Sequence, residues 1–243
     1  CVMQSRQGAP SETCTACNLR SVCLPKDMTK PEINRFEAIV DTHTHMAKRE
    51  TVFTQGDPLR AVYAQRTGLS KALVSDENGF AQITGFYYPG DVLGLEGLGD
   101  QAHHVSAVAL ESSRFCRVPV GDIELMADEL PAMRKRLMNL MTEALITSQN
   151  SVLSLGGRKS EARISQFLLS QHRRQNNGTP HPRLSLRISR SDIANFLGMR
   201  LETLGRGLTR LQRSRVIRLE GDAVYVLDAK ALRTWATQPS RDH

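Results

Sequence analysis

Short runs of alternating apolar and polar residues, separated by turn signals, dominate the sequence between residues 44 and 120. Two of the clearest runs are AVYA at 61–64 and AQIT at 81–84. Turn signals such as Gly68 and the NG pair at 78–79 interrupt the chain roughly every 10 to 12 residues. Short strands with frequent turns are typical of an antiparallel roll or sandwich. The sequence therefore predicts a β-roll in its N-terminal half.

The residues that follow the roll have helical periodicity. The segment 122–155 is rich in helix formers, and we expect Pro131 to separate a short helix from a long one. Apolar residues recur along the long helix at roughly 3.5-residue spacing: Leu130, Met133, Leu137, Leu140, Met141, Ala144, Leu145, Val152 and Leu155. This stripe is too long for one small roll to cover, so we predict a dimer seam. Packing of the helix on its own roll is the alternative.

Polar residues mark other predicted helix starts. Thr29 and Glu32 have the spacing of a capping box, with Pro31 in the first turn. Ser160 is placed to cap a helix that continues to about residue 175. Ser191 is placed to cap a shorter helix further along the chain.

The stretch SRSDIANFLGMRLETLGRGLTRLQRSRVI at 189–217 predicts a helix-turn-helix. Gly198 supplies the tight turn between two short helices. The second helix is basic on its outer face and carries four leucines that we expect to point inward, Leu201, Leu204, Leu208 and Leu211. A hairpin at 216–226, with a Gly-Asp turn at its middle, reads as a wing.

The outward residues near the start of the second helix are the candidate base readers. They are Glu202, Gly205 and Arg206. A glutamate carboxylate accepts a hydrogen bond from cytosine, and an arginine donates two to guanine. Further arginines are better placed for phosphate contacts: Arg200, Arg210, Arg213 and Arg215.

The charge distribution supports a nucleic-acid partner. Residues 157–243 hold 17 Lys and Arg against 7 Asp and Glu, whereas residues 1–156 hold 15 against 18. No run of 18 apolar residues is present, so we expect no membrane span. The first residues resemble neither a signal nor a transit peptide, and the five cysteines are an odd number. We therefore expect a reducing, cytoplasmic location.

Three cysteines lie close together near the N-terminus, with the spacing C-x2-C-x5-C at Cys14, Cys17 and Cys23. Thiolates this close repel one another and gain from a shared cation. Zinc normally takes its remaining ligand nearby, but no Cys or His lies between Cys23 and His43. An iron–sulfur cluster needs four thiolates and accepts one from a distant element, for which Cys116 is the candidate. Spacing alone leaves cluster and zinc open, and Cys116 could instead be a core residue.

The sequence resembles the CRP/FNR superfamily of bacterial transcription regulators, and within it the oxygen-sensing FNR group. The resemblance covers residues 14–235, including the three-cysteine segment, the run ITGFYYPGDVLG at 83–94 and the helix sequence ETLGR at 202–206. It implies a 4Fe–4S cluster held by four cysteines, Cys14, Cys17, Cys23 and Cys116. It also implies that Glu202, Gly205 and Arg206 read an inverted repeat with TTGAT-like half-sites. The group usually has serine at position 205, so glycine is a departure.

Superfamily members that bind cyclic AMP do so in the same roll, but we expect no cyclic nucleotide here. A cyclic phosphate needs a cation or a nest of backbone amides. Residues 89–113 contain no Lys or Arg and carry four acids, Asp91, Glu96, Asp100 and Glu111.

Together these features predict an α+β chain with an antiparallel β-roll of the cyclic-nucleotide-binding jelly-roll type, a long dimerisation helix and a C-terminal winged helix-turn-helix. We divide it into a cysteine-rich cluster-binding segment, a β-roll sensor domain, a dimerisation helix and a DNA-binding domain, at 1–28, 29–121, 122–156 and 157–243.

The function that the resemblance implies is an oxygen-responsive homodimeric regulator, not an enzyme, that binds double-stranded DNA. It would activate through RNA polymerase or repress. Two alternatives stay open: a zinc-stabilised constitutive regulator and an iron–sulfur redox enzyme.

Overall fold

The computed structural model describes residues 13–14, 16–17, 19–155, 159–176 and 183–238. The chain divides into two compact units. The first comprises Cys1–Ala81 and Gly85–Ala144, and the second comprises Gln82–Thr84 and Leu145–His243. Among the helices that the structure describes, none is both long and apolar enough to cross a membrane.

Two four-stranded sheets form the first unit, as the alternating sequence pattern predicts. The strands are β1 Asp41–Met46, β2 Thr51–Phe53, β3 Ala61–Thr67, β4 Ser70–Ser75, β5 Ala81–Tyr87, β6 Val92–Leu93, β7 Ser106–Ala109 and β8 Ser113–Pro119. One sheet has the order β1-β8-β3-β6 and the other β2-β7-β4-β5. Neighbours such as β1 and β8, β3 and β8, and β4 and β7 pair antiparallel. The predicted antiparallel β-roll is confirmed.

The interior of the roll is filled by apolar and aromatic side chains. Phe53, Leu93 and Phe115 are buried in one cluster there. His103 is also buried, and its ring stacks on Phe53 with 3.7 Å between the centroids. The Nδ1 nitrogen of the His103 ring lies 3.4 Å from a carboxylate oxygen of Glu96. Large rings therefore occupy the inside of the roll.

Four helices accompany the roll: α1 Arg20–Cys23, α2 Lys30–Ile39, α3 Val120–Glu129 and α4 Pro131–Leu155. The predicted capping box is confirmed, since both Thr29 and Glu32 make their reciprocal contacts at the start of α2. Pro131 begins α4, so the predicted division into a short and a long helix is also confirmed. The short helix begins at Val120, two residues earlier than the pattern indicates.

The long helix α4 behaves differently along its length. Near its start, Met133 is buried, and Leu137 and Leu140 pack against the apolar cluster of the first unit. The start of α4 therefore packs on its own roll, as the alternative prediction has it. On another face of the helix, from Met138 onward, four large apolar side chains are 45 to 63% exposed, Met138, Met141, Leu145 and Ile146. The exposed part is where the predicted dimer seam would lie. The side chains of Val152 and Leu155 are outside the described residues.

The second unit is a winged helix-turn-helix. Its helices are α5 Ser160–Asn176, α6 Arg190–Phe196, α7 Leu201–Arg213 and α8 Ala229–Ala236, and its strands are β9 Arg183–Ser185, β10 Ile217–Glu220 and β11 Ala223–Val226. The three strands form one antiparallel sheet in the order β10-β11-β9. The hairpin of β10 and β11 confirms the predicted wing.

Two local predictions in this unit are wrong. Ser189, not Ser191, caps α6, because its hydroxyl accepts the amide hydrogen of Asp192 at 3.1 Å. Leu201 is 47% exposed instead of inward. It is the first residue of α7, and helical side chains lean toward the N-terminus, beyond the reach of the buried leucines of the later turns.

Gly68 and Gly79 provide a matched test of the roll, since both have positive φ, +90° and +81°. A Cβ at Gly68 would lie 2.7 Å from the Cα of Ser113, whereas nothing lies within 4 Å of one at Gly79. Both alanine variants strain the backbone, but only Gly68→Ala also overpacks a β-strand. We expect Gly68→Ala to lower the free energy of unfolding by about 2–4 kcal/mol and Gly79→Ala by about 1–2 kcal/mol. Chemical denaturation measures both, and equal losses would contradict the packing.

Candidate cysteine site and DNA-reading helix

Strand β8 places Cys116 on the outer face of its sheet. Phe115, its neighbour, is fully buried in the roll interior, so Cys116 points the other way, together with Val118. Cys116 pairs with Ala64 of β3, and Arg66 lies at the irregularity of that strand between Gln65 and Thr67. Arg66 is near enough to Cys116 for its positive charge to lower the pKa of the thiol.

Two of the three N-terminal cysteines pack on the same apolar region. Cys14 and Cys17 precede α1, and Cys23 is its last residue. Cys14 and Cys23 pack against the cluster that contains Val118. All four predicted ligands are half-buried free thiols. The fold thus gathers cysteines that are far apart in the sequence.

Burial and neighbouring charges both shift the pKa values of the thiols. Burial raises the pKa of the Cys23 thiol to about 11 and that of Cys116 to about 12. The charges of Cys14 and Cys17 add to both rises, and that of Cys23 adds to the rise at Cys116, which places these thiols near one another. Burial also raises the pKa of Cys14, with Glu37 and Cys17 adding to it. Arg66 acts in the opposite direction on these three thiols.

The spacing of these groups bears on which metal they fit. Within the described ranges, no three His, Cys, Asp or Glu side chains are grouped closely enough to hold one metal ion. A tetrahedral zinc site with Zn–S bonds of about 2.3 Å requires sulfurs only about 4 Å apart. A 4Fe–4S cluster takes each of four thiolates on a different iron and accepts wider spacing. The four thiols supply the number of thiolates that a 4Fe–4S cluster requires.

Helix α7 exposes the predicted base readers. Glu202 and Arg206 are exposed and Gly205 is half-exposed, on the side away from the buried core leucines Leu204, Leu208 and Leu211. Arg200 is the N-cap residue of the helix. Arg163 of α5 donates to the carbonyl oxygen of Leu197 at 2.8 Å and so holds the turn before α7. The helix therefore presents its first turns to solvent from a fixed base.

The two glycines of α7 have different explanations. A Cβ at Gly207 would collide with Ile164 of α5, so close helix packing requires that glycine. At Gly205, nothing lies within 4 Å of an added Cβ. Glycine in a helix interior costs about 1 kcal/mol relative to alanine. Packing within the chain does not account for Gly205.

The predicted phosphate contacts are placed unequally. Arg210 forms an ion pair with Glu161 of α5, 2.7 Å between the guanidinium Nη1 and the carboxylate Oε1. Arg213 lies in the last turn of α7, and Arg215 follows with φ of +56°. Both are exposed. Arg210 therefore braces the recognition helix as well as adding positive charge to its surface.

Sequence reasoning missed two arginines beside the thiols, Arg66 and Arg136, whose charges oppose the rise in the pKa of Cys23. Arg66 lies at an irregularity of β3 between Gln65 and Thr67, which the sequence pattern does not indicate. Arg136 lies on α4, far from the cysteine segment in the sequence, and carries no sequence motif.

A β-roll, a long helix and a winged helix-turn-helix with an exposed basic recognition helix define a DNA-binding transcription regulator. Residues 43–129 match the cyclic nucleotide-binding domain family and residues 162–235 the Crp-like helix-turn-helix domain family. The chain belongs to the CRP/FNR family of transcription regulators, as the sequence resemblance predicts.

Curated relatives match over most of their length. Transcriptional activator protein Anr of Pseudomonas aeruginosa is 34% identical over 90% of this chain and 91% of that protein. Electron transport regulator A of Shewanella oneidensis is 32% identical, with coverage of 92% and 90%. The fumarate and nitrate reduction regulatory protein of Salmonella typhi is 30% identical, with coverage of 97% and 94%. Relatives of this kind are transcription regulators, which are not enzymes.

Among solved structures, FixK2 from Bradyrhizobium japonicum is similar, with a TM-score of 0.75 and 25% identity over 81% of this chain and 98% of that one. This supports the observed architecture. The match of the roll to the cyclic nucleotide-binding family concerns its fold, and the expectation that no cyclic nucleotide binds stays a prediction. The aromatic rings of Phe53 and His103 inside the roll favour the prediction that no cyclic nucleotide binds.

The ion pair of Glu161 gives a pH-dependent prediction. Burial alone would raise the pKa of its carboxyl, but hydrogen bonds from Arg210, its own amide and Ser160 lower it below the usual value. A lowered folded-state pKa contributes stability above the unfolded-state value, about 4.3, and loses it as the pH falls further. Because Arg210 is 66% exposed, we expect Glu161→Gln to cost at most about 1 kcal/mol at pH 7.

Thermal unfolding at pH 7 and below pH 4 measures the difference in stability between wild type and Glu161→Gln. This stability difference should vanish in acid. Glu220→Gln is the control, since Glu220 pairs with Arg218 at 2.9 Å where both side chains are about half exposed. It should change stability little at either pH. An undiminished difference for Glu161→Gln in acid would show that its ionisation is not the cause.

Proposed function

We propose that this chain is an oxygen-responsive regulator that holds a 4Fe–4S cluster on Cys14, Cys17, Cys23 and Cys116. The observation that carries the proposal is the gathering of these four free thiols on the outer face of the β1-β8-β3-β6 sheet. When bound, such a cluster supplies an iron–sulfur unit that oxygen can break down. Two relatives are named for respiratory chemistry: electron transport regulator A and the fumarate and nitrate reduction regulatory protein.

The protein's own residues connect this site to the long helix. Holding Cys14, Cys17 and Cys23 against Cys116 fixes the segment around α1 on the sheet. The same apolar cluster contains Met133, with Leu137 packed against it, near the start of α4. A fixed cysteine segment therefore supports the first turns of α4. Loss of the thiol contacts would loosen that support.

The exposed apolar side chains of α4 are the proposed dimer interface. Met141 and Leu145 belong to the predicted seam, and the exposed Met138 and Ile146 lie beside them on the same helix. Large exposed apolar groups on one helix are typical of association surfaces. Two chains paired through α4 would place two recognition helices on one inverted repeat.

On DNA, we assign Glu202 and Arg206 to base reading and Arg200 and Arg213 to phosphates, with Arg210 shared between DNA and Glu161. The half-sites would resemble TTGAT, and Gly205 would leave one base pair without a side-chain contact. The regulator would act in the cytoplasm and either activate through RNA polymerase or repress. The segment boundaries at 1–28, 29–121, 122–156 and 157–243 are part of this proposal.

Anaerobically purified protein should be straw-brown, contain iron and sulfide, and lose its visible absorption in air. Cys116→Ser should abolish the colour, because it removes the fourth thiolate. Cys1→Ser is the matched control and should keep the colour, since Cys1 is not a proposed ligand. Visible spectroscopy with iron and sulfide analysis makes the measurement.

A colourless protein loaded with zinc would contradict the cluster and support the constitutive zinc form. Colour that persists in Cys116→Ser would show that the fourth ligand is another residue.

Glu202→Ala and Arg206→Ala should each lose the footprint on an inverted repeat, with about 1–3 kcal/mol less discrimination against mismatched sites. Arg213→Ala should weaken binding to specific and random DNA alike, because a phosphate contact carries no sequence information. Footprinting and competition binding at fixed salt test this. A wild-type protein without any footprint would favour the redox-enzyme alternative.

A further inference from the structure

A contact between Arg136 and Val22 joins the cysteine segment to the long helix. The Nε of Arg136 donates to the carbonyl oxygen of Val22 at 3.0 Å, and Nη2 donates to the same oxygen. Val22 directly precedes Cys23 in α1. Only 15% of the Arg136 side chain is exposed. The guanidinium is therefore enclosed between the two elements and not a solvated charge.

The contact supplies what a very short helix lacks. The last carbonyl groups of an α-helix have no partner within the helix, and a positive charge at that end is favourable. With four residues, α1 is too short to be stable alone and depends on contacts from outside. Arg136 provides two N–H donors to one of its carbonyl groups.

Both ends of this contact are fixed by further neighbours. On the far side of Val22, the Cγ1 atom lies 3.5 Å from the place where a side chain on Gly90 would begin, so Val22 covers that turn of the roll closely. On the helix side, Nη1 of Arg136 lies 3.5 Å from Oε1 of Glu143, two turns further along α4. Arg136 therefore links the Val22 carbonyl group to a second side chain of α4.

We infer that Arg136 is the positioning residue through which the cysteine segment sets the first turns of α4 and the exposed face that contains Met138 and Met141. The inference rests on the proposed cluster and dimer. Replacing Arg136 should therefore separate cluster loading from dimerisation. Without this side chain, the thiols still hold the cluster, but cluster loading no longer strengthens the dimer contact of α4.

The test compares Arg136→Gln with Lys135→Gln under anaerobic conditions. Each variant removes one positive charge from the same turn of α4, and Lys135 is exposed. Iron and sulfide per chain measure cluster loading, and sedimentation gives the dimer dissociation constant. Arg66, whose charge acts on Cys14, Cys23 and Cys116, is retained in Arg136→Gln. We therefore expect this variant to contain as much iron as wild type but to dimerise at least tenfold more weakly. Lys135→Gln should match wild type in both.

Arg136→Lys separates charge from geometry, because it keeps the charge near Cys23 but loses the forked donors. It should load fully and dimerise more weakly than wild type. Unchanged dimerisation of Arg136→Gln, or parallel loss of iron and dimer, would overturn the inference. Absence of iron from the wild-type protein would overturn the proposed function instead.

Hydrogen exchange of the cluster-free protein distinguishes a local effect on α1 from misfolding of the whole variant. In Arg136→Gln, amides of residues 20–24 should exchange at least tenfold faster, while β3 and β8 keep their protection. Unchanged protection at 20–24 would show that the contact does not hold α1. A general loss of protection would show that Arg136 serves the fold as a whole, which also overturns the inference.

Discussion

Apolar packing on the outer face of the β1-β8-β3-β6 sheet is the interaction on which the first unit depends. Val62 and Val118 from the sheet meet Leu24 and Phe36 from the N-terminal segment, and Met126 of α3 completes the contact. Burial of these side chains contributes on the order of 1.5–3 kcal/mol each. Because the cysteine segment is part of this packing, the hydrophobic effect gathers the thiols before any metal chemistry is considered.

This arrangement carries an electrostatic cost that the arginines reduce. Half-buried thiols resist ionisation, as the raised pKa values of Cys23 and Cys116 show. Arg66 and Arg136 favour the thiolate form at Cys23. The site thus combines an apolar floor, which excludes water, with cations at its edge. Such surroundings suit four thiolates that share a positively charged group.

Local patterns in the sequence predict much of the fold. The alternation of apolar and polar residues predicts the roll, the capping box of Thr29 and Glu32 predicts the start of α2, and Pro131 predicts the break before α4. Each of these features depends on residues only a few positions apart in the sequence. Strand register and the contact of Arg136 with Val22, 114 residues away, do not follow from such patterns. Ser189 and Ser191 are equally good caps by residue type, and only the position of the Asp192 amide separates them.

The empty space at Gly205 separates the packing of the recognition helix from the composition of its exposed surface. Gly207 and the buried leucines of α7 are fixed by the core, so changes there would disturb the fold. Position 205 faces solvent with nothing in contact with an added side chain. In the proposed DNA-reading role of α7, a single substitution at position 205 would change the reading surface without repacking the unit.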